Sequence, residues 1–208
     1  MSVNYTINAD VVDIRSDSPR ASDVFFIDTN VWYWMTYPNA SISDTPAKHY
    51  QTKEYPAYVK KALNNKSKLR WSGLSIAELS HIIEKTERDI FNHNNKSNVG
   101  TKEFRHSYQE ERSNVVNEIT IACNQVKTFG ECIDTTIDNN IADSVLSKLS
   151  SYKLDGYDMF ILETLLSCGI LNIITDDGDF STIPNISIFT ANDNVIKSAR
   201  KSGRLITR

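Results

Sequence analysis

The sequence predicts an α/β fold: a central parallel sheet covered by helices on both faces, with an inserted helical hairpin. Three observations carry this. Short apolar runs such as Val24-Phe25-Phe26-Ile27 and Leu171-Asn172-Ile173-Ile174-Thr175 have the length of strands buried on both sides. Between them lie longer segments with apolar residues at helical spacing, as in Ile76, Leu79, Ile82, Ile83 and Ile90. Strand-like and helix-like segments alternate along the chain, the pattern of parallel strands joined by helical crossovers.

Residues 1–22 are polar and end in Ser16-Asp17-Ser18-Pro19-Arg20, which favours an extended lead-in over a core element. The core starts at Val24–Ile27, and Asp28 ends that strand. Thr29-Asn30-Val31-Trp32-Tyr33-Trp34 reads as a turn and short helix, followed by a polar loop containing Pro38 and Pro46. Ala47 to Leu63 reads as helix on Tyr50, Tyr55, Tyr58, Val59 and Leu63, with Pro56 able to kink or divide it. Lys68 to Ser72 is a second short strand, and a long helix follows through Ile90.

Turn-forming residues from Asn92 to Gly100 break that helix. Phe104, Tyr108, Val115, Ile119, Ala122 and Val126 mark one stripe of a second long helix, so that about 84–127 forms a helical hairpin. Then come a strand at Glu131–Asp134, a helix on Ile141, Val145 and Leu149, and a helix from Asp158 to Cys168 stopped by Gly169. Leu171–Thr175 and Ile186–Thr190 are strands, and Asp193–Lys201 is the final helix. The length of 208 residues suits one domain over 23–208 behind the polar extension.

Composition narrows the function. A formal net charge of −3 gives no global positive field, so any nucleic-acid contact must come from a local patch. Three cysteines, Cys123, Cys132 and Cys168, are widely spaced without a CxxC pair, which argues against a disulfide framework or zinc ribbon and for a reducing, cytoplasmic setting. No secretion signal or membrane-length apolar run is present. Lys197, Arg200, Lys201, Arg204 and Arg208 make one basic segment, read first as a solvated helix end and frayed tail; Lys60, Lys61, Lys66, Lys68 and Arg70 make another. Trp32, Tyr33 and Trp34 could stack on bases, but core packing is the default use of such rings.

Four acids stand where strands end or helices begin: Asp28, Glu78, Asp158 and Asp177. In parallel sheets ligands collect beyond the carboxyl ends of the strands, so all four can face one edge. Carboxylates sharing a cleft repel each other unless a cation lies between them, which makes a divalent metal site the first expectation. Each also has an ordinary structural use. Glu78 follows Ser75 at capping-box spacing, Asp158 follows Asp155 as a helix-capping pair, Asp176-Asp177-Gly178 suits a turn, and Asp28-Thr29-Asn30 suits an Asx turn.

The order of the four motifs over residues 24–192 resembles the PIN-domain nuclease family: Asp-Thr-Asn after an apolar strand, Ala77-Glu78-Leu79 on a helix, Tyr157-Asp158 opening a helix, and Thr175-Asp176-Asp177-Gly178-Asp179-Phe180 after a strand. The resemblance implies a Rossmann-like sheet and an acidic cluster that binds Mg2+ or Mn2+ and hydrolyses RNA. It implies Asp28, Glu78, Asp158 and Asp177 as catalytic and metal-binding residues. Asn30, Thr175 and Asp179 would support them, and Asp155 and Asp176 are the neighbours that could replace a chosen acid. It also implies a toxin-like role with an antitoxin protein as partner, and homodimerisation. The polar lead-in and the helices of 84–127 depart from compact members of that family.

Other readings follow from the same residues. A PIN-like module could bind RNA or protein without cutting. A haloacid-dehalogenase-type phosphatase would need an acid where Asn30 stands. Glu78-x-x-His81 and Glu103-x-x-His106 have the spacing of di-iron bundles, but the strand-like runs do not suit a four-helix bundle.

Overall fold

The computed structural model describes residues 5–42, 47–134 and 136–208; Pro46 and the first residues of the polar extension lie outside them. Strand β1 spans Asp10–Asp13 and β2 spans Val24–Ile27. Helix α1 (Thr29–Thr36) leads to α2 (His49–Asn64), which contains Pro56 without being divided by it. Then come β3 (Lys68–Ser72), α3 (Gly73–Asn95), α4 (Thr101–Ser107), α5 (Gln109–Phe129) and β4 (Glu131–Ile133). The chain continues through α6 (Asn139–Lys148), α7 (Gly156–Ser167), β5 (Asn172–Ile174), β6 (Ser187–Thr190), α8 (Asp193–Lys201) and β7 (Leu205–Ile206).

The strands form one sheet in the order β4-β3-β2-β5-β6-β1-β7, with every pairing parallel. Period-two alternation sends successive side chains to opposite faces. Phe25 and Ile27 join a core with Trp32, Tyr55, Ile83 and Val126 from α1, α2, α3 and α5. Phe26 joins the other core with Val145, Leu162 and Ile196 from α6, α7 and α8. The expected two-faced α/β architecture is therefore present, and no four-helix bundle is. Trp32 and Tyr33 are spent on the first core rather than exposed for base stacking, and Trp34 packs on Tyr55.

Strand order reverses beside β2. The chain steps outward from β2 to β3 and β4, then crosses back to place β5 and β6 on the other side of β2. Ile27 of β2 lies opposite Ile174 of β5, so the residues that follow each strand, Asp28 and Thr175, meet at this switch point, where parallel α/β sheets commonly bind ligands.

Three expectations change. The N-terminal extension is not a mere lead-in: β1 lies between β6 and β7, with Val11 opposite both Ile188 and Leu205. Ile7, Ala9, Val11, Val12 and Ile14 are buried, and the polar residues around this short apolar run masked it. The second hairpin helix is two helices, broken at Tyr108, whose φ of −119° and ψ of 72° leave the helical region. Tyr108 stays on the apolar stripe because its ring packs against Phe91 and Phe104 in a small separate core with Val99 and Val115.

The basic C-terminal segment is not a frayed tail. Leu205–Ile206 pairs with β1, and Arg208 donates to Asp17 and Asp23 at 3.0 and 2.8 Å while its guanidinium lies 4.5 Å from the Phe189 ring centroid. Asp17 is almost fully buried and also accepts from Tyr58. Removing one partner of a buried pair strands the other charge, at a typical cost of about 3–5 kcal/mol. Arg208→Ala should accordingly lower the unfolding free energy by roughly 3 kcal/mol, and Arg208→Lys should recover little because a single ammonium cannot fork to two carboxylates. Urea denaturation of the variants measures both.

Candidate acidic site

Asp28 is the first residue beyond β2, and its backbone N–H continues the sheet by donating to the Ile174 carbonyl at 3.1 Å. Its backbone carbonyl opens α1, but its side chain makes no capping hydrogen bond, so the Asx-turn use of this carboxyl is not realised. Instead, Asp28 Oδ2 accepts from the Thr175 hydroxyl at 2.6 Å, across the β2–β5 switch point. The Thr175 hydroxyl thus holds one oxygen of Asp28 in place. Asn30, half-buried in α1, makes no side-chain hydrogen bond to any of these acids among the described residues.

Glu78 is released from capping for a different reason. The helix begins one turn earlier than the Ser75–Glu78 spacing suggests: Ser72 is the N-cap of α3, and Ser72 and Ser75 satisfy each other's amides. Glu78 Oε2 and the neighbouring Thr29 Oγ1 are both buried without a hydrogen-bond partner among the described residues. The Thr29 hydroxyl lies near enough to Glu78 to favour its charged form, yet completes no bond of ordinary geometry.

The two aspartates flagged as possible replacements have separate tasks. Asp155 caps α7 by accepting from the Asp158 N–H at 3.0 Å, which leaves the Asp158 carboxyl free. Asp176 is tied down by the Tyr50 hydroxyl at 2.9 Å, the Gln51 amide at 2.6 Å and the Tyr55 hydroxyl at 2.7 Å, clamping α2 to the loop after β5. Asp177 does shape its turn: its N–H donates to Thr175 Oγ1 at 2.9 Å, and its Oδ1 accepts from the Asp179 N–H at 2.8 Å.

The acids act on one another. Burial pushes the Asp28 carboxyl up to about 7, with Thr175 opposing the rise and the charges of Glu78 and Asp177 adding to it. Burial followed by Asp28, Asp155, Asp177 and Glu78 pushes Asp158 up to about 9. Glu78 and Asp177 are also raised, first by burial, and both feel Asp155. Asp179 is raised by burial and Asp155. The four acids singled out in the sequence therefore share one electrostatic neighbourhood with Asp155.

One contributor escaped sequence reading. The Tyr5 ring packs so closely over Gly178 that a β-carbon there would approach it to 2.2 Å. Burial and then Asp177 raise the Tyr5 hydroxyl pKa. A tyrosine in a polar lead-in gave no signal of this contact.

Among the described residues, no three Asp, Glu, His or Cys groups are drawn together tightly enough to hold a metal ion as they stand. The donor chemistry nonetheless fits a hard cation: the cluster is made of carboxylates, partly deprived of hydrogen-bond donors, with an orphaned oxygen on Glu78. Mg2+ commonly keeps several waters and takes only one or two protein carboxylates together with substrate phosphates.

No family model matches the sequence, and no curated protein matches it. A solved structure of VapBC2 from Rickettsia felis, bound to a DNA fragment from their promoter, contains a chain with a TM-score of 0.48 and 12% identity to this one. The match covers 80% of this chain and 98% of that one.

The raised carboxyls give stability a particular pH dependence. Asp28 and Asp158 hold their protons in the folded state after the unfolded chain has lost its own, so their contribution declines as pH rises from about 4. The decline ends once the pair is fully ionised, through about 7 and about 9. Asp158→Asn should consequently stabilise the metal-free protein at pH above this window by at least about 1 kcal/mol, or roughly 2–4 °C in Tm, and by much less at acid pH. Calorimetry across pH tests it; a destabilised Asp158→Asn protein at alkaline pH would contradict the burial described for that carboxyl.

Proposed function

We propose that this chain is a PIN-like, metal-dependent ribonuclease that hydrolyses RNA phosphodiester bonds at the Asp28–Glu78–Asp158–Asp177 cluster. The observation that carries the reading is the mutual destabilisation of these carboxylates at a sheet switch point. Burial and like charge oppose their ionisation, and among the described residues Thr175 is the one side chain that donates to Asp28. Such a site is stabilised by taking up a divalent cation and losing its protons.

Asp28, Asp158 and Asp177 would hold Mg2+ or Mn2+, with Asp28 oriented by Thr175 and Asp177 by the turn through Asp179. A bound cation of this kind supplies charge neutralisation and polarisation of phosphoryl oxygens. Glu78, with a raised pKa and one unpartnered oxygen, accepts the proton released as water adds to phosphorus and the P–O bond to the leaving nucleotide breaks. Asp155 and Asp176 are capping and clamping residues that keep the two flanking segments in place.

A second reading, an RNA- or protein-binding module without cleavage, is favoured by one observation: no three ligating groups are gathered among the described residues. Incubating purified protein with mixed RNAs in Mg2+, in Mn2+ and in EDTA separates the two. The ribonuclease reading expects metal-dependent products, lost by at least about 100-fold in Asp28→Asn, a loss of roughly 2.7 kcal/mol of transition-state stabilisation. Titration calorimetry with Mn2+ should release protons near neutral pH in the wild type and fewer in Asp28→Asn. Unchanged turnover by the variant would remove Asp28 from the site. The narrower toxin role expects growth arrest on induction of the wild-type chain and none with Asp28→Asn.

A further inference from the structure

Helix α3 changes character along its length. Glu78 stands near its start, and His81, Lys85 and Arg88 follow at intervals of three, four and three residues, which keeps them on one face. Lys85 is about 10 Å beyond Glu78 along the axis, at a rise of roughly 1.5 Å per residue. His81, between them, lies close enough to both Glu78 and Glu84 to favour their charged forms.

A cavity of about 110 Å³ opens on this face, lined by His81, Glu84, Lys85, Arg88 and Thr101. Its acidic wall is already more than neutralised. Glu84 is buried and accepts from Arg105 Nε at 2.6 Å and from Arg112 at 3.1 Å, so one negative and two positive groups leave a net +1. Arg105 and Arg112 remain partly exposed, with 43% and 36% of their side-chain surface open. Arg88 donates to Thr101 across the cavity and also pairs with Asp89 at 3.4 Å, which leaves Lys85 as the uncompensated cation of the lining among the described residues. Lys85 is exposed and forms no ion pair among the described residues.

We propose that this cavity is a phosphate subsite that grips the backbone of single-stranded RNA close to the bond cut at the acidic cluster. It rests on the ribonuclease reading for its choice of polymer. A protein of net charge −3 exerts no general attraction on a polyanion, and the acidic cluster repels one, so affinity has to come from fixed cations nearby. Lysine, arginine, imidazole and hydroxyl donors around one small cavity match the acceptor oxygens of a phosphate.

The test is anisotropy of a labelled single-stranded RNA bound to full-length Asp28→Asn protein in EDTA, over a series of salt concentrations, with and without Lys85→Ala. The substitution should weaken binding several-fold and reduce the slope of log affinity against log salt by about 0.7, the value for one lost phosphate contact on a single strand. Arg88→Gln, which keeps a donor for Thr101, should act in the same direction. Unchanged affinity and slope in Lys85→Ala would overturn the subsite, as would loss of binding to polyglutamate with RNA binding intact. If Lys85→Ala weakens RNA binding but the wild type never cuts RNA with Mn2+, the subsite stands and the nuclease reading falls. Cleavage with Lys85-independent binding gives the reverse.

Discussion

Carboxyl groups that repel one another, Asp28 buried and Glu78, Asp158 and Asp177 half-buried, share one neighbourhood beyond the ends of β2 and β5, and the surrounding architecture follows from how that burial is relieved. A buried carboxylate can be stabilised by hydrogen-bond donors, by protonation or by a cation. Asp176 takes the first route completely, with donors from Tyr50, Gln51 and Tyr55. Asp28 receives one side-chain donor, from Thr175, and Glu78 keeps an oxygen with none. This gradient separates an acid whose coordination capacity is used by the fold from acids whose capacity is left over.

The two ends of β2 make the same point. Asp23, just before the strand, pairs with Arg208, and Asp17 beside it is met by both Arg208 and Tyr58. Both carboxylates at that end thus meet the Arg208 guanidinium. Asp28, just after the strand, has no ion pair among the described residues; the Thr175 hydroxyl donates to it, and the charges of Glu78 and Asp177 oppose its ionisation. Elements from both layers enclose it: Glu78 comes from α3 on one face of the sheet and Asp158 from α7 on the other. The parallel register that sets Ile27 against Ile174 brings Asp28 beside Thr175, so a single strand pairing fixes the best-defined contact of the site.

Strand β3 and helix α8 have the limits read from the sequence, because each is a run of strong pattern bounded by turn-forming residues. Strands β1 and β7 were invisible for the opposite reason: they are four and two residues long, and they acquire strand character from pairing with each other and with β6. Tyr108 misled because an apolar stripe reports which side faces a core and not whether the backbone stays helical. At the site, the acids were legible from their order, whereas their freedom was not. Whether Glu78 caps α3 depends on which serine begins the helix, a one-turn shift that spacing cannot distinguish. The contact of Tyr5 with Gly178 joins distant parts of the chain and has no local signature.

The helices inserted between β3 and β4 acquire a physical purpose from the same electrostatics. Glu84 is another buried acid on α3, less than two turns past Glu78, and an unpaired carboxylate there would be costly to bury. Folding α4 and α5 back against α3 brings Arg105 and Arg112 to it. The small core of Phe91, Val99, Phe104, Tyr108 and Val115 supplies the apolar burial that holds these helices together. Because Glu78 and Lys85 belong to one continuous helix, the separation between acid and cation is set by helical rise and not by a loop. On the proposed reading, a polymer bound across both would meet the acidic cluster in a fixed register, the geometric requirement for cutting at a defined distance from a gripped phosphate.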